Sequence, residues 1–196
     1  MPIFFPAVFE RYVLLAHPFF QNWKQGILTK RQLSRYAAVY GALILDFADG
    51  WRVADENKVA QQELVHYLLW RNFALSLAND SEYLPIPQVD RLIASVKMNV
   101  RNFATALGTL YAFKAIQPAV VYFKLLGLQT HYSHWHADET YFEILQADFM
   151  EPILLEEKLS ALSPAENFAA ARACEETCRL LYDALTGIMG YNVRSV

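Results

Sequence analysis

Apolar residues recur every three to four positions along most of the chain, and few segments alternate in the manner of strands. That periodicity predicts helices over 5–17, 30–50, 55–78, 88–107, 107–128, 138–160 and 164–189. Boundary signals support several of them. Thr29 stands before "KRQLSRYAAVY" and can cap it. Ser163, with Pro164 at the first helical position and Glu166 three residues on, forms a capping-box pattern. "NDSEYLPIPQ" at 79–88 carries two prolines and reads as a loop. About seven helices with short connections predict an all-α fold, a single compact helical domain over 1–196.

The same period places ionisable groups on apolar faces. Lys114 shares the face of 107–128 with Leu107, Leu110, Tyr111 and Val121. His66 shares a stripe with Val59, Leu69, Trp70 and Phe73. Asp148 shares one with Tyr141, Ile144, Leu145 and Leu155, and Glu151 lies a turn beyond it. A lysine is almost never fully buried without a partner. Any one of these residues reads as a satisfied core group. On three helices together they point to a shared polar site inside the bundle. A second cluster, His131, His134 and His136 with Asp138 and Glu139, could offer metal-ligand atoms. Its spacing matches no standard zinc pattern, and it reads as a polar interhelical loop.

Composition narrows the function classes. With 55% hydrophobic residues and 19% charged, the 196-residue chain can bury a real core. The net charge of −3 and the lack of a basic stripe argue against nucleic acid. The most apolar run, "YAAVYGALIL", is too short to span a bilayer and ends at Asp46, so no membrane partner is expected. "MPIFFPAVFERY" has no positive n-region, and the cytoplasm is the expected location. Cys174 and Cys178 lack the Cys-X-X-Cys spacing of a redox pair and read as small buried residues. The apolar surplus suggests a homodimer.

The segment "HPFFQNWKQGILTKRQLSRYAAVY" resembles the first block of the haem-oxygenase-like superfamily, the TenA/PqqC/CADD-like proteins. The residues carrying the likeness are His17, Pro18, Phe19, Phe20, Trp23, Gly26, Leu28, Tyr36, Ala37 and Tyr40. "HYLLWRNFALSLA", "LYAFKAIQPAVVYFKLLGL" and "YFEILQAD" resemble the later blocks in order, closest to the CADD branch. The resemblance implies a haem-oxygenase-like bundle and, for that branch, two metal ions held by two glutamates, three histidines and an aspartate. Carried over residue by residue, only His66 and Asp148 match that ligand set. Val59, Lys114, Ile144 and Glu151 stand at four other ligand positions. Phe20 stands where the CADD branch has the tyrosine consumed in making p-aminobenzoate. The central cysteine of TenA has no counterpart here.

A metal-free or atypical-metal relative is therefore expected, with the Lys114 ammonium in a cation's place, paired to Asp148 or Glu151. The leading reading is an enzyme, of oxidoreductase or cofactor-biosynthesis type, acting on a small aromatic or heterocyclic substrate in a central pocket. His66 would move a proton, Asp148 orient it and Lys114 stabilise negative charge, making these three the candidate catalytic residues. Tyr36, Tyr40, Trp70, Tyr111 and Glu151 are the candidate substrate-binding residues, with Phe73 and Phe113 adding to the wall. No cofactor is expected. A single metal at His66, Asp148 and Glu151 is the alternative cofactor reading. A non-catalytic binding module that keeps the bundle is the alternative function, and it predicts a collapsed cavity.

Overall fold

The computed structural model describes residues 4–77, 85–146 and 150–190, and among them the fold is all helical. Ten α-helices run in chain order: α1 Pro6–Arg11, α2 Pro18–Lys24, α3 Lys30–Val53, α4 Asn57–Ser76, α5 Pro87–Asn99, α6 Phe103–Lys114, α7 Gln117–His131, α8 Thr140–Leu145, α9 Met150–Ser160 and α10 Pro164–Gly190. No described helix is long and apolar enough to cross a membrane.

Both expected caps form. Thr29 Oγ1 accepts from Gln32 N–H, and Gln32 Oε1 accepts from Thr29 N–H. Ser163 and Glu166 make the reciprocal pair at the start of α10. The expected long helices are shorter, for local reasons. The 107–128 stretch is two helices: α6 stops at Lys114, and α7 begins at Gln117 with Pro118 in its first turn. Proline has no N–H to donate and clashes with the preceding turn, so it starts a helix and does not sit within one. The 88–107 stretch ends at Asn99, because Asn102 caps α6 through Oδ1. The 5–17 stretch divides into α1, a 3-10 turn at Leu14–Ala16, and His17, which caps α2 ahead of Pro18. The 138–160 stretch divides into α8 and α9. Most of the expected 79–88 loop lies outside the described residues.

The most extensive packing is α6 against α10 and α3 against α4. α6 and α10 approach closely at Gly108, where an added Cβ would come within 2.0 Å of the Ala170 carbonyl oxygen. Thr109 and Thr177, both buried, share a hydrogen bond across the same seam. Cys174 and Cys178 are buried, unbridged residues of α10, as their spacing suggested.

The His-Pro block has a structural role. His17 Nδ1 accepts from Phe19 N–H, and its Nε2 bonds Thr186 Oγ1 on α10. Burial pushes the His17 imidazole down to about 4, so the ring stays neutral and keeps both bonds. This anchor sets α2 with Phe19, Phe20 and Trp23 turned into the core. Trp23 packs where Gly127 has no Cβ, and its Nε1–H donates to the Lys124 carbonyl at 3.2 Å. The phase of α7 is thereby fixed, and Lys124 faces inward.

Candidate functional site

Two buried lysines define the interior. Lys114 is at the last turn of α6, 2% exposed, and Lys124 is in the middle of α7, 3% exposed. Their surroundings differ in kind.

Lys114 is ion-paired. Its Nζ lies 2.9 Å from Glu151 Oε2 on α9 and contacts Glu63 Oε1 on α4. Glu63 Oε1 also accepts from Trp51 Nε1–H on α3 at 3.1 Å. His66, one turn along α4, brings Nδ1 to 3.4 Å from Glu63 Oε2, beyond an ordinary hydrogen bond. Burial opposes the charge on Lys114 and on Glu63. Mutual attraction overcomes it: Glu151 and Glu63 hold the Lys114 ammonium well above the usual lysine range. Lys114 in turn outweighs the burial of Glu63 and keeps that carboxyl below the usual range.

Lys124 has no carboxylate within ion-pair distance among the described residues. Its Nζ sits among ring faces instead: 5.0 Å from Tyr36 and Tyr40, 5.7 Å from Trp70 and 5.8 Å from Phe20. Burial pushes this amine down to about 7. The ring faces act the other way, since they attract the ammonium form. Lys124 lines a partly open cavity of about 20 Å³ together with Phe20, Tyr36, Tyr40, Phe113 and Gln117. That space admits one or two water-sized molecules. Gln117 Oε1 is buried without a hydrogen-bond partner.

Tyr40 joins the two regions. Its hydroxyl shares a hydrogen bond with Tyr141 of α8 and lies within electrostatic reach of Lys114 and Glu63. Burial pushes the Tyr40 phenol up to about 12 and raises Tyr36 and Tyr141 as well, so all three keep their protons at neutral pH.

The structure brings together His66, Lys114 and Glu151, with Tyr40 close by. Asp148, expected in this cluster, lies outside the described residues. Ile144, expected on the inner stripe of its helix, is instead exposed and borders a groove of about 440 Å³ that leads to Glu151. Trp70 is fully buried behind Tyr40 and donates to the Ala37 carbonyl. Tyr111 is turned away from both lysines. Its hydroxyl takes the Phe4 N–H and donates to Glu156, and its ring meets Phe4, Phe5 and Phe9. His131, His134 and His136 are all exposed and form no converging ligand group among the described residues.

Two members of the site escaped the sequence reading, Glu63 and Lys124. Glu63 carried a signal: it precedes His66 by three residues, the Glu-x-x-His spacing that puts both side chains on one helix face. Lys124 carried one too, spaced with Gln117, Val120, Val121 and Leu128 on the inner face of α7.

Glu63, His66 and Glu151 could hold a metal ion, since one donor atom from each falls within 4.8 Å of the others. Three donors suit one ion. Among the described residues no second set of three or more such side chains converges.

No protein-family model matches the chain. The chain is similar to three proteins named 4-aminobenzoate synthase. It is 27% identical to that of Chlamydia pneumoniae, over 90% of this chain and 89% of that protein. It is 26% identical to that of Nitrosomonas europaea, over 93% and 88%. The protein of Chlamydia muridarum is 23% identical, over 93% and 87%. The likeness runs nearly end to end in each case and agrees with the CADD-like resemblance read from the sequence blocks.

Proposed function

We propose that this chain is an enzyme of the 4-aminobenzoate synthase kind, related to cofactor biosynthesis, whose chemistry takes place where Lys124 meets Tyr36 and Tyr40. The observation that carries this reading is the environment of Lys124. It is a buried amine with no carboxylate within ion-pair distance among the described residues, 5.0 Å from two tyrosine rings and facing a cavity. A lysine paired to carboxylates is a fixed cation. An amine pushed to about 7 keeps a lone pair on a large share of molecules at neutral pH, and that lone pair can take a proton or attack carbon. The activity in the relatives' name requires an aromatic amine product, and this site sets an amine among aromatic rings.

The cavity adds a constraint. About 20 Å³ does not accept an aromatic ring. The ring in the reaction is then one of the protein's own side chains, or one that enters by moving Leu14 or Phe113 aside. Phe20 has no phenol, which leaves Tyr36 and Tyr40 as the phenols beside the amine. If the ring is a tyrosine of this chain, joining nitrogen to it requires an external oxidant such as dioxygen, because an electron-rich phenol does not accept an amine's lone pair until it is oxidised. The small cavity favours a second reading, a non-catalytic binding module.

Thermal unfolding with added 4-aminobenzoate or other small aromatic acids tests whether a ring enters beside Lys124 by moving Leu14 or Phe113 aside. A ligand at about 100 times its dissociation constant stabilises the fold by about 2.7 kcal/mol. The gain should vanish in Lys124→Met. Binding that is unchanged in Lys124→Met would place the site elsewhere, and binding without aromatic-amine formation would favour the binding module.

A further inference from the structure

The ionic cluster has a property independent of the reaction at Lys124. Its donor set is two carboxylates and an imidazole on α4 and α9, with one atom of each inside 4.8 Å. Carboxylate oxygen and imidazole nitrogen are the ligands that first-row divalent ions take, at about 2.0–2.2 Å. His66 Nδ1 is buried and lies 3.4 Å from Glu63 Oε2, so the imidazole nitrogen already faces the carboxylate with which it would share an ion. The Lys114 Nζ meanwhile contacts Glu63 Oε1 and lies 2.9 Å from Glu151 Oε2. An ion bound to those oxygens would sit where the ammonium sits. The two occupants exclude each other by space and by charge. Access is not the obstacle, because the groove lined by Val59, Gln62, Ile144, Met150 and Ile153 leads from the surface to Glu151.

We propose that Lys114 is a tethered cation occupying a one-ion carboxylate–histidine site, so that the native chain excludes divalent metal and removal of the Lys114 charge admits one ion at Glu63, His66 and Glu151. The ammonium is the ion's replacement, delivered by the chain itself from the end of α6. Glu63 is preset for either occupant, since Trp51 Nε1–H fixes its Oε1 whichever cation is present.

The test is cobalt(II) titration of the native protein, Lys114→Met and Lys114→Gln, followed by visible d–d absorption and by metal content after gel filtration. The native protein should retain no cobalt and show no bands. Each variant should hold one ion per chain, show bands of a nitrogen–oxygen ligand field, and melt at a higher temperature with cobalt than without. Adding Glu151→Gln or His66→Ala to Lys114→Met should abolish the bands. Native protein that binds one cobalt with loss on Glu151→Gln would overturn the proposal. So would a folded Lys114 variant that takes no ion, or one whose ion survives Glu151→Gln. If both variants are unfolded alone, the proposal requires that cobalt restore their helical circular dichroism, and failure to do so counts against it.

Discussion

Lys114 and Lys124 stand on successive helices, both buried, yet Lys114 meets two carboxylates while Lys124 meets ring faces and, among the described residues, no carboxylate. The first is a charge held in place and the second an amine with no counter-charge among the described residues.

For Lys114 the expected consequence is a large, non-additive contribution to stability. Lys114→Met strands Glu63 and Glu151 in the interior, and removing one partner of a buried pair costs about 3–5 kcal/mol. Glu63→Gln should cost a similar amount. The double variant should lose clearly less than the sum, because the group stranded by each change is removed by the other. Urea denaturation of the three variants measures this. Strict additivity, or a Lys114→Met loss below about 0.5 kcal/mol, would show that the contacts carry no coupling.

For Lys124 the consequence appears in the pH dependence. Its folded value of about 7 lies below the ordinary 10.5, so between the two the unfolded chain holds the extra proton. Stability from this group therefore rises with pH across that window and is flat below it, by at most about 1.4 kcal/mol per pH unit. The ring faces, which favour the ammonium, reduce the slope. Comparing unfolding near about pH 7.5 and about pH 9.5, the native protein should gain up to about 2–3 kcal/mol relative to Lys124→Met. Equal gains in both proteins would mean that Lys124 stays charged.

Gly108 is the tightest point of the α6–α10 seam, and α6 carries Lys114. Gly108→Ala must push the helices apart, since the new Cβ would lie 2.0 Å from backbone oxygen that no rotamer change can relieve. Overpacking of this kind costs about 1–3 kcal/mol or more. The variant should melt at a lower temperature and weaken the Lys114 cluster with it. A melting temperature equal to that of the native protein would contradict the packing described.

The fold was legible in the chain because helical periodicity and the Thr29 and Ser163 caps agree. The connection between α6 and α7 was misread, although Pro118 marked it, because apolar residues continue on both sides of the break. That error also hid Lys124. A continuous helix gives one phase for 107–128, whereas the restart at Gln117 gives α7 its own, and in that phase Lys124 points inward. Glu63 was missed for another reason. The expected ligand lay seven residues before His66, so the glutamate three before it went unread. Long-range partners such as Trp51 with Glu63, or His17 with Thr186, leave no spacing signal, because only the packed bundle brings them together.

The central claim is that the amine of Lys124 takes part in forming an aromatic amine. A bacterial strain unable to make 4-aminobenzoate, supplied with this chain on a plasmid, tests it most directly. Growth without added 4-aminobenzoate is the first readout, and 4-aminobenzoate in cell extracts, measured by mass spectrometry, is the second. The account predicts growth and product with the native chain, and neither with Lys124→Met or Lys124→Arg, although both variants accumulate as folded protein. Growth and product with Lys124→Met, or none with the native chain, would contradict it.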